Sequence, residues 1–192
     1  MLKHRLGLGS IGLLALVPAV MVLCGVGELK AENKDVALIE AASDGQADKI
    51  QRLLSDGANV NTRDQYGSTP LMHACWYGQV DAVKLLLDKR ADVNAKNQKG
   101  RTALMWASRN GPIEVVKLLL EHAVDVNARD GEGSTALIWA SGEWNTDVVE
   151  LLLAKGADVK IKDSDGRTAL KIATLGGHAK TAQLLKARGA KE

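Results

Sequence analysis

Residues able to do chemistry are few in this chain, and their spacing does not bring them together. His73, His122 and His178 fall at different phases of the 33-residue period set out below. Ligands scattered in this way do not converge on one metal ion. His73 and Cys75 lie two apart on a predicted helix, so their side chains point about 200° from one another and cannot easily chelate a common ion. Serine, histidine and aspartate are all present, but no G-x-S-x-G elbow or regular spacing joins them. The glycines do not form the G-x-x-x-x-G-K-S/T loop that cradles phosphates; they punctuate the chain at fixed positions. Cys24 and Cys75 are the two thiols. With the leader removed, Cys75 has no internal disulfide partner, and it fills the small-residue slot of Ser108 and Ser141. A buried, inert thiol is the expectation. No catalytic residue, metal ligand or cofactor is assigned, and the chain reads as a non-enzyme.

What positions the remaining candidates is a repeat. TALMWAS from Thr102 recurs as TALIWAS from Thr135, with TPLMHAC from Thr69 and TALKIAT from Thr168 on either side. Threonines 69, 102, 135 and 168 are evenly spaced by 33, as are glycines 67, 100, 133 and 166. A fixed period of this length marks stacked units that bury their apolar faces against one another. Each unit reads as two short helices joined by a turn. In the first they span 36–42 and 47–55; in the second, 69–77 and 80–89. The threonines suit N-caps, and Pro70 suits a first helical turn, where its missing N–H costs nothing. Val115, Val116, Leu118 and Leu119 spread over an arc wider than one helix can hide, so neighbours must cover both sides. Trp106 and Trp139, each followed by alanine, are expected to pack between neighbouring units.

Three positions break the pattern. Arg90 and Ala123 stand where Gly57, Gly156 and Gly189 would serve a left-handed helix cap, at a cost of about 1 kcal/mol each. Trp144 holds the helix-turn slot of Gly45, Gly78, Gly111 and Gly177. There, either the turn is rebuilt around Gly142 or strain is tolerated. The end units are expected to be polar outward. Asp48, Lys49, Gln51 and Arg52 sit on the second helix of the first unit, and Lys171, Lys180, Thr181, Gln183 and Lys186 replace apolar slots in the last.

The 192 residues are 46% hydrophobic and 25% charged, with a formal charge of +2. That excess lies in the first 31 residues, and the remainder is charge-neutral. A neutral body with no basic stripe excludes the counterion-release mode of nucleic-acid binding. Lys3 and Arg5 precede an uncharged run over 6–27, then Glu28, Leu29, Lys30 and Ala31. This has the charged start, apolar middle and small-residue end of a secretory signal. Residues 1–31 are therefore read as a signal peptide, cleaved after Ala31 or near Gly27, or as an uncleaved N-terminal anchor. Cys24-Gly25 makes a poor lipoprotein site, because Leu23 precedes it. Either way the body is exported.

The helix pairs, the 33-residue period and the T-P-L-H-x-A-like text Thr69-Pro70-Leu71-Met72-His73-Ala74 resemble the ankyrin-repeat family. Alanines 103, 136 and 169 replace the proline in later units. The resemblance covers residues 32–192 as five repeats, at about 34–66, 67–99, 100–132, 133–165 and 166–192. It implies an all-α ankyrin-repeat solenoid of stacked helix-turn-helix units with short β-turn or hairpin fingers. With the leader, the chain resembles bacterial periplasmic members. Asp64, Asn97, Asp130 and Asp163 match the family's turn-forming positions and are expected to bond local backbone.

The family contacts partners through finger tips and the exposed ends of first helices, which line a concave surface. Carried onto this chain, these positions give Tyr66, Lys99, Arg101 and Glu132 at the tips. They give Trp76, Tyr77, Arg109, Asn110, Glu143 and Trp144 at the helix ends. Tyr, Trp and Arg are frequent binding hot spots, and the second and third units are taken as the centre of the patch. The expected function is a non-catalytic protein–protein interaction module that stabilises or regulates another exported protein, in the periplasm or on the outer side of the inner membrane. An inhibitor or immunity protein against one toxic partner is an alternative, as is an enzyme with a site on the groove. No nucleic acid and no small-molecule substrate is expected, and a membrane only if the leader stays uncleaved.

Overall fold

The computed structural model describes residues 33–191. The predicted leader lies outside the described residues. Among the described residues, ten helices form five pairs: α1 (Lys34–Ser43) with α2 (Ala47–Ser55), α3 (Pro70–Trp76) with α4 (Val80–Asp88), α5 (Ala103–Asn110) with α6 (Ile113–Leu120), α7 (Ala136–Ser141) with α8 (Thr146–Ala154), and α9 (Ala169–Leu175) with α10 (Ala179–Ala187). First helices pack on first helices and second on second, giving two helical layers. Among the described residues, no helix is long and apolar enough to cross a membrane.

The period acts through a few slots. Leu38, Leu71, Leu104, Leu137 and Leu170 are fully buried one above another, with Ala41, Ala74, Ala107, Ala140 and Ala173 beside them. The alanines let the first helices approach closely. Leu86, Leu119, Leu152 and Leu185 do the same for the second layer. Thr69, Thr102, Thr135 and Thr168 cap their helices, each hydroxyl accepting from the backbone N–H three residues on.

Between units the chain runs through fingers. Asp64, Asn97, Asp130 and Asp163 each use Oδ1 to accept two backbone N–H groups, two and four residues ahead. The fingers are tied to one another by backbone bonds: Gln98 N–H to Tyr66 O, 3.0 Å, Gly131 N–H to Lys99 O, 2.8 Å, and Ser164 N–H to Glu132 O, 2.8 Å. Side chains one period apart repeat the stitching. Asn61, Asn94 and Asn127 accept from the N–H of Asp92, Asp125 and Asp158, each at 2.8 Å. Arg63, Lys96 and Arg129 donate to the carbonyls of Lys96, Arg129 and Lys162.

The irregular positions divide. Arg90 takes the left-handed conformation, at φ 64°. Ala123 does not, contrary to expectation: α6 stops at Leu120 and Val124 N–H turns back to His122 O at 2.7 Å. Without a left-handed residue at 123, this unit gives up the capping bond that Ala91 and Ala157 make to Leu86 and Leu152, which Arg90 and Gly156 allow by taking positive φ. Gly111 also departs from the expected turn, with φ −80° and ψ 155°. Pro112 follows it, and the residue before proline is driven to extended geometry. At Trp144 the turn is rebuilt, with Gly142 in a right-handed C-cap at φ −82° and no positive φ at the tryptophan. Thr181 is a further correction: it is buried, bonded to Thr146 Oγ1 at 3.0 Å, rather than facing outward. Because Arg90 keeps a conformation that suits glycine, Arg90→Gly should stabilise the chain by about 0.5–1 kcal/mol, read as a higher urea midpoint at unchanged slope.

Candidate functional site

The sequence-selected residues divide into three groups. The first lies on the finger and first helix of the second unit. Tyr66 and Tyr77 are 63% and 58% exposed, so neither is claimed by the core. With the half-buried Trp76 they line a depression of about 360 Å³, completed by Asp64, Ser68, Met72, His73 and Trp106. Trp76 meets Trp106 edge to face at 4.4 Å, and Trp106 meets Trp139 the same way at 5.1 Å. The indoles thus form a ladder along successive first helices. Trp106 and Trp139 are packed against the core, as their alanine neighbours suggested. Each also lines an open depression.

The second group occupies the third and fourth units. The Arg101 guanidinium lies 5.1 Å from the Trp106 ring centre and 5.0 Å from that of Trp139, between two aromatic rings. Arg109 lies 5.5 Å from Trp139 and pairs with Glu143 at 3.3 Å. Glu132 stands 4.0 Å from Arg101. These four line a depression of about 330 Å³ with Trp139, Asp163 and Arg167. Its charges are matched internally, so it is polar without a net sign.

Trp144 stands apart. It is 82% exposed and lines a different depression, of about 680 Å³, with Asn145, Asp147, His178 and Lys180. Its ring meets His178 edge to face at 4.5 Å. Lys99 and Asn110 are exposed and line none of these three depressions. Lys99 contributes its carbonyl to the finger stitching.

Groups with chemical potential are used structurally. Burial pushes the Cys75 thiol far above its ordinary range, so it has no thiolate to offer. His178 Nε2 donates to Gly142 O at 3.1 Å, and Gln79, in the same slot, donates to Ser43 O at 2.9 Å. Both tie neighbouring units together. His73 Nε2 lies 2.9 Å from Asp64 Oδ2. Sequence reasoning missed this pair, although Asp130 and Trp139 repeat the spacing with an indole N–H to carboxylate bond of 3.2 Å. The signal was there: the slot four residues after each cap holds histidine, tryptophan, tryptophan and isoleucine, nine residues after each finger Asp or Asn.

Two finger carboxylates titrate abnormally. Burial raises Asp64, but hydrogen bonds from His73 and from the N–H groups of Ser68 and Tyr66 outweigh it and leave the carboxyl below its ordinary value. At Asp163, burial is likewise outweighed by the Arg167 N–H, the Arg167 guanidinium and the Asp165 N–H. Arg167 Nε stands 2.8 Å from Asp163 Oδ2. A pKa lower in the folded than in the unfolded state gives stability that is full above about pH 4. That stability is lost as pH falls through the folded value. Asp163→Asn keeps an oxygen for the two N–H groups but sets an amide against the guanidinium. The variant should lose about 0.5–1.5 kcal/mol at pH 7, because the Arg167 side chain is 42% exposed and its charge is screened by solvent. It should also show a shallower loss of stability than the parent between pH 5 and 2, in urea titrations at each pH.

The chain matches the family model for ankyrin repeats (three copies) over residues 12–97, 38–130, 84–163 and 128–192. It is 42% identical over 65 residues to the mitochondrial disaggregase of Homo sapiens, covering 34% of this chain and 9% of that protein. The mitochondrial disaggregase of Rattus norvegicus is 42% identical over 60 residues, covering 31% of this chain and 9% of the relative. The chain therefore spans under a tenth of the length of these relatives, and the similarity extends to repeats rather than to a whole protein.

Proposed function

This chain belongs to the ankyrin-repeat family, and from that premise we propose that it is a non-catalytic module that binds another protein through the finger and first-helix face of its second to fourth units. One observation carries the reading. Tyr66, Trp76, Tyr77, Arg101 and Arg109 fall into two depressions, one lined by Trp106 and the other by Trp139, whose rings meet edge to face at 5.1 Å. Aromatic and arginine side chains already held on a rigid base bind with little loss of conformational freedom. The Trp106 and Trp139 rings are held by core packing on one side and by the Arg101 and Arg109 cations on the other, so the face is formed before a partner arrives.

The same reading places the module in an exported compartment, the periplasm, where it would stabilise or regulate another exported protein. The support is in the sequence: Lys3 and Arg5, the uncharged run over 6–27 and the small residue Ala31 form an export signal. Mass determination of the chain recovered from the exported fraction tests this. A mature terminus at Glu32 or near Gly27 agrees with cleavage, and a full-length chain in the membrane fraction agrees with an anchor. An unprocessed chain retained in the cytosol contradicts export.

For the face itself, a tagged full chain and its Tyr66→Ala, Trp76→Ala, Tyr77→Ala triple variant are compared in capture from that fraction. The partner retained by the parent should be lost from the variant, while circular dichroism shows the helices intact. Undiminished capture by a folded triple variant removes this face from the function.

A further inference from the structure

Resting on that reading, we propose that the aromatic depression of the second unit is a receptor for one cationic side chain, a lysine or arginine of the bound protein. Four aromatic residues, Tyr66, Trp76, Tyr77 and Trp106, contribute to its walls. They come from a finger, the end of α3 and the neighbouring α5, so three elements contribute aromatic side chains to one open depression. Asp64 is the carboxylate among the lining residues, and neither lysine nor arginine lines it. Aromatic faces attract cations through the ring quadrupole, and a carboxylate beside them adds charge and a hydrogen-bond acceptor.

Asp64 is suited to that part. Its Oδ1 is engaged by the Tyr66 and Ser68 N–H groups, which fix the carboxylate in place. Oδ2 takes the His73 Nε2 hydrogen, and a carboxylate oxygen has a second lone pair to offer. The side chain is 18% exposed, screened yet reachable. The lowered pKa keeps it ionised at neutral pH. A volume of about 360 Å³ sits at the small end of the ~300–1,000 Å³ range of ligand sites, which suits a side chain rather than a cofactor.

The neighbouring depression shows the contrast. There Arg101, Arg109 and Arg167 face Glu132, Glu143 and Asp163, and the cation–aromatic positions over Trp139 are already filled from within the chain. In the depression of the second unit Arg101 reaches one wall, Trp106, from outside the lining, while Tyr66, Trp76, Tyr77 and the Asp64 carboxylate are lined by neither arginine nor lysine.

The probes are N-acetyl-lysine methylamide, N-acetyl-arginine methylamide and N-acetyl-norleucine methylamide, the last matching lysine's chain without its charge. The full chain, labelled with ¹⁵N, is titrated with each while its four tryptophan indole resonances are followed. The cationic compounds should shift the Trp76 and Trp106 resonances, leave Trp144 unmoved, and bind roughly fivefold or more tighter than norleucine. Asp64→Asn should erase that preference. This variant keeps the finger, since Asn97 performs the same two-bond role in the next unit. Equal binding of lysine and norleucine derivatives overturns the proposal in favour of an apolar anchor. So does a preference that survives in Asp64→Asn, or an absence of shifts with all three. None of these results bears on capture by the aromatic triple variant, so the cation receptor can fail while the binding face stands.

Discussion

Leu119→Ala should lower the unfolding free energy by about 3–5 kcal/mol, near the upper end for a buried leucine, while the same change at Leu185 should cost about 2–3 kcal/mol. Both side chains are fully buried and occupy one slot of the repeat. Their surroundings differ. Leu119 lies in α6, which packs on α4 and α8, whereas Leu185 lies in α10, which has α8 on one side and no further helix of the described residues on the other. A cavity in α6 is held open from both sides, while the last unit can settle into the space. In a stack whose stability is a sum of units and nearest-neighbour interfaces, the central lesion weakens two interfaces and the terminal one weakens one. Urea unfolding followed by circular dichroism measures both. Equal losses would mean that the last helix is as constrained as the central one.

The period made the stack readable because each recurring residue has one job. Threonine caps a helix, leucine and alanine set the spacing between helices, and the finger Asp or Asn closes a turn on its own backbone. These are local or nearest-neighbour effects, and a single unit contains the information for them. Where the reading failed, a residue outside the slot decided the result. Gly111 looked like its counterparts, but Pro112 fixes the backbone before it. Ala123 was expected to follow Arg90, yet α6 ends a residue early and the capping bond is rearranged. Thr181 counts as polar by composition, but Thr146, 35 residues earlier, gives its hydroxyl a buried partner.

The candidate face was legible in part. Exposure of Tyr66, Tyr77, Arg109 and Asn110 follows from their places on the frame. The division of labour does not. Arg101 was selected as a free anchor, yet its guanidinium is held between Trp106 and Trp139, and its side chain is only 21% exposed. Trp106 and Trp139 were assigned to packing alone, yet each also lines a depression. Trp144 was grouped with the face as the end of a first helix, beside Glu143, but after the rebuilt turn its ring meets His178. All three outcomes depend on contacts across units, which the phase of a repeat does not encode.

A finger glycine gives the second large effect and links frame to face. Gly100→Ala should cost about 2–4 kcal/mol, against about 1–2 kcal/mol for Gly166→Ala. The two glycines share a slot and a conformation, φ +71° and φ +74°. An added Cβ at 166 meets nothing within 4 Å, so only the left-handed backbone is charged for. At 100 the same atom would lie 2.9 Å from Gly131 N and 3.1 Å from the carbonyl carbon of Asp130. Both are backbone and cannot rotate away, and Gly131 N–H is bonded to Lys99 O in the same strip of chain. Relief therefore requires the two fingers to part. Because Gly100 lies between Lys99 and Arg101, that movement would also draw the guanidinium from between the indoles. Gly100→Ala should thus weaken capture of the partner as well as stability, whereas Gly166→Ala should leave capture intact at any temperature where the protein is folded. If the two variants lose stability equally, the bond between the fingers yields freely, and the face is less rigid than its geometry requires.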